Sequence, residues 1–192
     1  MCARAAVRAR HEDGAENGLR HVEDVCHPCR PMLDAQVDHV AVAVRSVAAA
    51  RPLFVDALGG EFLFAGENKR QGFRWAQFRF PHGGKIELVT PIDGDGFVQR
   101  FLDRRGEGVH HVTFKVPDIA SSIEHLRAQG VELMNVSTEH PSWKEAFIHP
   151  KDAHGVLIQI AQSAFSDEES ARHHLTDHET SDHRHLRLAD LA

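Results

Sequence analysis

The chain has 192 residues, 42% of them hydrophobic, and 22 Lys and Arg stand against 28 Asp and Glu for a net charge of −6. That balance gives no basic footprint for nucleic acid, and no apolar run approaches the roughly 20 residues that a membrane span requires. A soluble, cytoplasmic protein is the expectation.

Residues 1–35 have no sustained periodicity and read as a flexible N-terminal extension. Arg4, Arg8 and Arg10 hint at a transit peptide, but Glu12, Asp13 and Glu16 follow at once, and such peptides avoid acids. Cys2, Cys26 and Cys29 all lie here, so no disulfide staples the core. Cys26-His27-Pro28-Cys29 has the spacing of a redox pair or half a zinc site. It lacks both the flanking strand and helix of the first and the second Cys pair of the other, and reads as incidental.

Apolar patterning begins at Val37. A strand over 37–45 sets His39 on one face with Val37, Ala41 and Ala43, and Val40, Val42 and Val44 on the other. The spacing of Val47, Ala50, Leu53, Phe54 and Leu58 predicts a helix over 47–58, with Pro52 near its first turn and Gly59-Gly60 as the stop. Strands near 60–65, 72–80 and 84–90 follow. The bulky residues of 72–80 change sides after Trp75, which implies cover on both faces or a bulge near Ala76.

A connecting helix over 96–105, with Phe97, Phe101 and Leu102 on one stripe, leads into a second half of the same plan. A strand over 109–116 precedes a helix from about 117 to 130 carrying Ile119, Ile123 and Leu126, and then strands near 131–135, 145–149 and 155–162. Residues 163–192 carry His173, His174, His178, His183 and His185 among acids and serines, and read as a His-rich, flexible C-terminal tail. The ordered domain is therefore 36–162, with modules at about 37–91 and 109–162.

The halves share a second signature. His39 and Glu87 are 48 residues apart, His111 and Gln159 are 48 apart, and the two pairs are offset by 72. Two copies of one unit would gather these four side chains around a pseudo-twofold axis. A buried, ionised Glu is costly unless paired or metal-bound, and His, Glu, His and Gln are all acceptable donors to a divalent ion. His111 rather than His110 is in phase with His39, so His110 is expected to point away from the site and to support a ligand or serve the structure.

The segments Asp38-His39-Val40-Ala41-Val42, Ile86-Glu87-Leu88-Val89-Thr90-Pro91, Gly108-Val109-His110-His111-Val112 and Phe147-Ile148-His149-Pro150-Lys151 with Gly155-Val156-Leu157-Ile158-Gln159 resemble the vicinal oxygen chelate (glyoxalase/bleomycin resistance/dioxygenase) superfamily, and within it the methylmalonyl-CoA epimerases. The resemblance spans about 37–162. It implies an α+β fold of two tandem βαβββ modules, a curved mixed sheet around a metal site. His39, Glu87, His111 and Gln159 fall on the family's four ligand positions. It further implies one divalent ion, with Co, Mn, Zn, Ni and Fe all suited to mixed imidazole and oxygen ligands, and a small acyl-CoA or oxo-acid substrate processed through a metal-stabilised enolate. The modules of such a protein close on each other or across a homodimer.

The resemblance is incomplete in chemistry. Epimerases of this kind use two glutamates as proton carriers, and the corresponding positions here are Gln159 and Arg70, neither of which is a base near neutral pH. Three readings follow. One is a metal-dependent isomerase or lyase with Glu87 or a metal-bound hydroxide as catalytic base, Arg70 or Lys69 steering an anionic substrate, and Lys151 as a further substrate-binding cation. Another is a non-catalytic small-molecule binding or resistance protein. The last is a non-haem Fe(II) dioxygenase built on His39, His111 and Glu87.

Overall fold

The computed structural model describes residues 32–92, 94–176 and 183–191. Residues 1–31, and with them the three cysteines, lie outside the described residues. Residues 33–192 form one unit.

The first module runs β1 (Gln36–Ala43), α1 (Val47–Arg51), β2 (Glu61–Asn68), β3 (Phe73–Arg79) and β4 (Lys85–Pro91). After the linking helix α2 (Phe97–Arg105), the second runs β5 (Gly108–Lys115), α3 (Ile119–Ala128), β6 (Leu133–Ser137), β7 (Trp143–Ile148) and β8 (Leu157–Ser163). Caps match the local sequence: Ser46 Oγ accepts from the Ala49 amide, and Asp118 Oδ1 accepts from Ala120 and Ser121 at the start of α3. The helix expected over 47–58 is α-helical only to Arg51. Pro52, without an N–H, interrupts the ladder, and Pro52–Ala57 continues as a π-type turn closed by Leu58 N–H to Leu53 O at 3.0 Å.

All strands join one sheet in the order β6-β7-β8-β5-β1-β4-β3-β2, extended by β9 (His183–Leu186) beside β2. Within each module the first and last strands pair in parallel, β1 with β4 and β5 with β8, while β1 and β5 run antiparallel and join the modules. Val40 pairs with Val112, its own counterpart at the 72-residue offset, so the local twofold passes through that pair. His39 then faces Thr113 while Ala41 faces His111. Two register shifts interrupt the β1–β5 ladder, leaving Asp38 and His110 as extra residues.

The uneven alternation of β3 reflects cover on both faces, since Ala76, Gln77 and Phe78 are successively buried. β3 pairs with β4 without interruption, and the bulge lies instead in β2, between Phe62 and Phe64. One apolar cluster gathers Val47, Ala65, Ala76, Phe78 and Leu88 under α1, another Val116, Ile119, Ile123 and Ile160 under α3, and a third Ala43, Val89, Val98 and Leu102 under α2.

The expectation of a flexible tail over 163–192 does not hold for its described part. Asp167–Thr176 forms α4, β9 pairs with β2 from Ala65↔Leu186 to Asn68↔His183, and a 3-10 turn spans Leu188–Leu191. The reason is apolar: Leu186 and Leu191 are buried in the first module's core, with Leu188 packed against them. β9 also covers the outer edge of β2, whose backbone groups would otherwise lack partners.

Candidate metal centre

His39, Glu87 and His111 are all buried, and one ligand atom from each lies within 4.8 Å of the others. The sheet register explains the convergence. Glu87 stands beside Ala41 on the parallel neighbour, two residues along from His39, and Gln159 stands beside Thr113, two along from His111. Alternation puts residues two apart on one face, so each module delivers one imidazole and one oxygen donor to the same side of the sheet. His39 Nε2 lies 3.6 Å from Glu87 Oε2, and His111 Nε2 lies 4.0 Å from Glu87 Oε1. Both modules belong to the same chain, so the donor set closes within one subunit.

The polar partners of these donors lie mostly in side chains that the sequence did not single out. Gln77 Nε2 donates to Glu87 Oε2 at 2.9 Å. The Thr113 hydroxyl is 2.5 Å from Gln159 Oε1 and 3.0 Å from His39 Nε2. Gln159 Nε2 donates to Glu145 Oε2 at 2.6 Å, an acceptor shared with Trp143 Nε1 at 2.8 Å. Each was findable in part. Thr113 is two residues beyond His111, and Gln77 faces Glu87 directly across β3 and β4. Glu145 needs the β7–β8 register, in which it stands beside Ala161, diagonal to Gln159.

The residues before the two histidines bear on the site too. Asp38 Oδ2 is 2.7 Å from His39 Nδ1, and His110 Nδ1 is 2.9 Å from His111 Nδ1. His110 therefore does not simply point away: the bulge swings it back against its neighbour, and its ring packs on Phe97 and Phe101. Burial pushes its pKa down to about 4. His111 is held well below the ordinary histidine range by burial and by the positive charges that His110 and His39 would carry, against a hydrogen bond with Gln159 that favours the charged ring. A neutral imidazole is what a metal requires. Burial works against ionisation of Asp38, but the hydrogen bond with His39 and the charges of Lys115 and Lys85 outweigh it and leave the carboxyl well below its usual range.

This donor set fits a divalent cation. The Thr113 hydroxyl has one proton for two acceptors, His39 Nε2 and Gln159 Oε1. Gln77 Oε1 is buried with no hydrogen-bond partner among the described residues. Lone pairs thus outnumber protons in a buried space, a deficit that a cation would relieve.

Arg70 and Lys151 lie elsewhere. Arg70 is exposed in the turn between β2 and β3. Lys151, in the Pro150–Asp152 turn, is 62% exposed and pairs with Glu132 at 3.6 Å and Asp152 at 3.8 Å. Among the described residues, no hydrogen bond or ion pair joins either to the histidine–glutamate group.

Known proteins resemble this chain in sequence and fold. A Bacillus subtilis protein, YqjC, itself uncharacterized, is 30% identical over 129 residues, covering 66% of this chain and 91% of its own. The ethylmalonyl-CoA/methylmalonyl-CoA epimerase of Cereibacter sphaeroides is 28% identical over 132 residues, 66% of this chain and 97% of that enzyme. The crystal structure of methylmalonyl-CoA epimerase from Mycobacterium tuberculosis superimposes with a TM-score of 0.61 at 34% identity, covering 67% of this chain and 88% of that one. The family model itself matches residues 38–147, from the bulge before His39 into β7, and so takes in the β1–β5 junction and three of the four expected ligands. With the paired modules, their symmetric register and the inward donors, that match makes the chain a member of the glyoxalase/bleomycin resistance protein/dioxygenase superfamily.

Proposed function

We propose that the protein is a divalent-metal-dependent isomerase or lyase acting on a small acyl-CoA or related oxo-acid. The observation that carries this reading is the convergence of His39, Glu87 and His111 within 4.8 Å, with Gln159 beside them as a fourth donor. These four residues would hold the ion. A bound cation supplies Lewis acidity, which favours negative charge developing on a carbonyl oxygen as the neighbouring carbon gives up a proton.

The chain's own groups do the rest. Glu87 is the proton carrier, and Gln77, donating to Oε2, fixes the plane of its carboxylate. Thr113 and Glu145 grip the two ends of the Gln159 amide and fix which end is oxygen. Ala41 and Ala43, both fully buried, keep the same face of β1 small and dry. The CoA thioester class is suggested by the epimerase relatives. Arg70 and Lys151 are the surface cations we assign to its anionic groups, and Lys151 also meets two carboxylates.

The test is exchange of the methylmalonyl-CoA α-proton in D₂O, using the full chain loaded with Co²⁺ and Glu87→Ala as the control for metal held by the C-terminal histidines. Exchange that depends on Glu87 is expected. Stoichiometric, Glu87-dependent metal uptake without exchange would instead favour a non-catalytic binding protein, the reading suggested by Gln159 and Arg70 at the epimerases' proton-carrier positions.

A further inference from the structure

Asp167 lies beyond the residues that match the family, at the first position of α4. It nevertheless reaches the support of His39 through a ring of four charges. Lys85 Nζ is 2.9 Å from Asp38 Oδ1 and 2.8 Å from each Asp167 oxygen. Lys115 Nζ is 3.0 Å from Asp38 Oδ1 and 3.2 Å from Asp167 Oδ1. Two ammonium groups and two carboxylates thus balance, and the Lys85 and Asp38 side chains are only 8% and 9% exposed. The other oxygen of Asp38 meets His39 Nδ1.

We infer that Asp167 is a positioning residue for His39: by sharing Lys85 and Lys115 with Asp38, it leaves Asp38 Oδ2 free to orient the imidazole, with Nε2 turned toward Glu87. The inference rests on the reading of His39 as a metal ligand. Without Asp167, two ammonium groups converge on one carboxylate, with no other acceptor for their remaining protons in the ring. They compete with His39 for Oδ2, and an uncompensated positive charge sits behind the ligand. A carboxylate that accepts from the far nitrogen of a metal-bound histidine sets its tautomer and ring orientation. Here that carboxylate is in turn held by a residue from a segment outside the family match.

The experiment titrates Co²⁺ into the full chain by calorimetry, with Glu87→Ala as the site control, and records the His39 ring nitrogens by long-range ¹H–¹⁵N correlation in metal-free protein. Asp167→Asn should weaken Glu87-dependent binding about tenfold, the lower end of what loss of such outer support costs, and reduce the Nδ1–H tautomer of His39. Asp167→Glu should retain most of the affinity. The decisive variant is Lys115→Met with Asp167→Asn, which restores one lysine to one aspartate. Recovery of affinity and tautomer supports charge balance, whereas a loss at least as large as in Asp167→Asn alone overturns it and leaves Asp167 as an anchor for α4. Unchanged His39 nitrogens in Asp167→Asn also overturn it. If the wild type shows no Glu87-dependent binding, the metal reading fails, and the nitrogen shifts still decide whether Asp167 and His39 are coupled.

Discussion

Asp38 and His110 occupy equivalent positions 72 residues apart, and each is the extra residue of a β-bulge that turns it onto the Nδ1 of the histidine that follows. In a regular strand, neighbours face opposite sides; the bulge breaks that rule once per module and gives each imidazole a partner. The partners differ in kind, a carboxylate in one module and an imidazole in the other.

With His111 Nε2 toward Glu87, its Nδ1 is the donor and His110 Nδ1 the acceptor, a role that His110 keeps at neutral pH because burial holds its pKa to about 4. His110→Phe preserves the ring against Phe97 and Phe101 and removes the acceptor. Co²⁺ affinity should fall about tenfold, with thermal stability changed by less than about 1 kcal/mol. Calorimetric titration and a melting curve on the same samples check both.

Thr113, fully buried, bridges His39 and Gln159 with one hydroxyl. Thr113→Val keeps the shape and deletes the bridge, leaving the Gln159 oxygen without its donor. Metal-free protein should lose roughly 1–3 kcal/mol, the cost of a buried acceptor left unpaired. Saturating Co²⁺ should recover part of that loss, because a cation satisfies the same lone pairs. Denaturant unfolding with and without metal measures the difference.

The charge ring also predicts an acid limb. Burial opposes ionisation of Asp167, but the hydrogen bond from Lys85 and the charges of Lys115 and Lys85 prevail over it and over repulsion from Asp38, so its folded-state pKa lies below the ordinary 3.8. A depressed carboxyl contributes stability that is fully present above the unfolded-state pKa and lost as pH falls through the folded one. Unfolding free energy measured from pH 5 down to pH 2 should therefore decline less steeply in Asp167→Asn than in the wild type, and an equal slope would count against the ring.

The doubled strand-helix-strand plan and the four-residue set were legible because both depend on spacing along one chain: His39 and Glu87 keep in phase with His111 and Gln159 wherever the strands lie. Gln77, Glu145 and the paired bulges were not legible in the same way. A bulge is a count of two residues against one, and the count exists only once Val37 and His39 are set against Phe114 and Thr113. The order of the C-terminal segment was not legible for another reason. Leu186, Leu188 and Leu191 are too few to make a periodic face, yet each packs on the first module's core. Leu186→Ala should cost about 2–5 kcal/mol, the range for truncating a buried leucine, as read from a denaturant midpoint.

The amide of Gln159 and the carboxylate of Glu145 also set the terms on which epimerase-like chemistry could be introduced. Gln159→Glu alone places a second carboxylate where Glu145 Oε2 now accepts a hydrogen bond at 2.6 Å. Two carboxylates so close do not both ionise freely, so the variant should be destabilised at pH 7 by about 1–3 kcal/mol and recover below pH 5, where one takes a proton. Adding Glu145→Gln returns an amide to the pair with the strands' roles exchanged, so that β7 donates and β8 accepts. The double variant should regain wild-type stability and carry carboxylates at 87 and 159, equivalent positions in the two modules. A second carboxylate supplies the missing proton carrier. Exchange of the methylmalonyl-CoA α-proton in D₂O should then be accompanied by inversion, read by chiral analysis of the recovered thioester, whereas the wild type with Glu87 alone should exchange faster than it inverts. Exchange without inversion in the double variant would show that the amide at 159 is not what separates this chain from the epimerases.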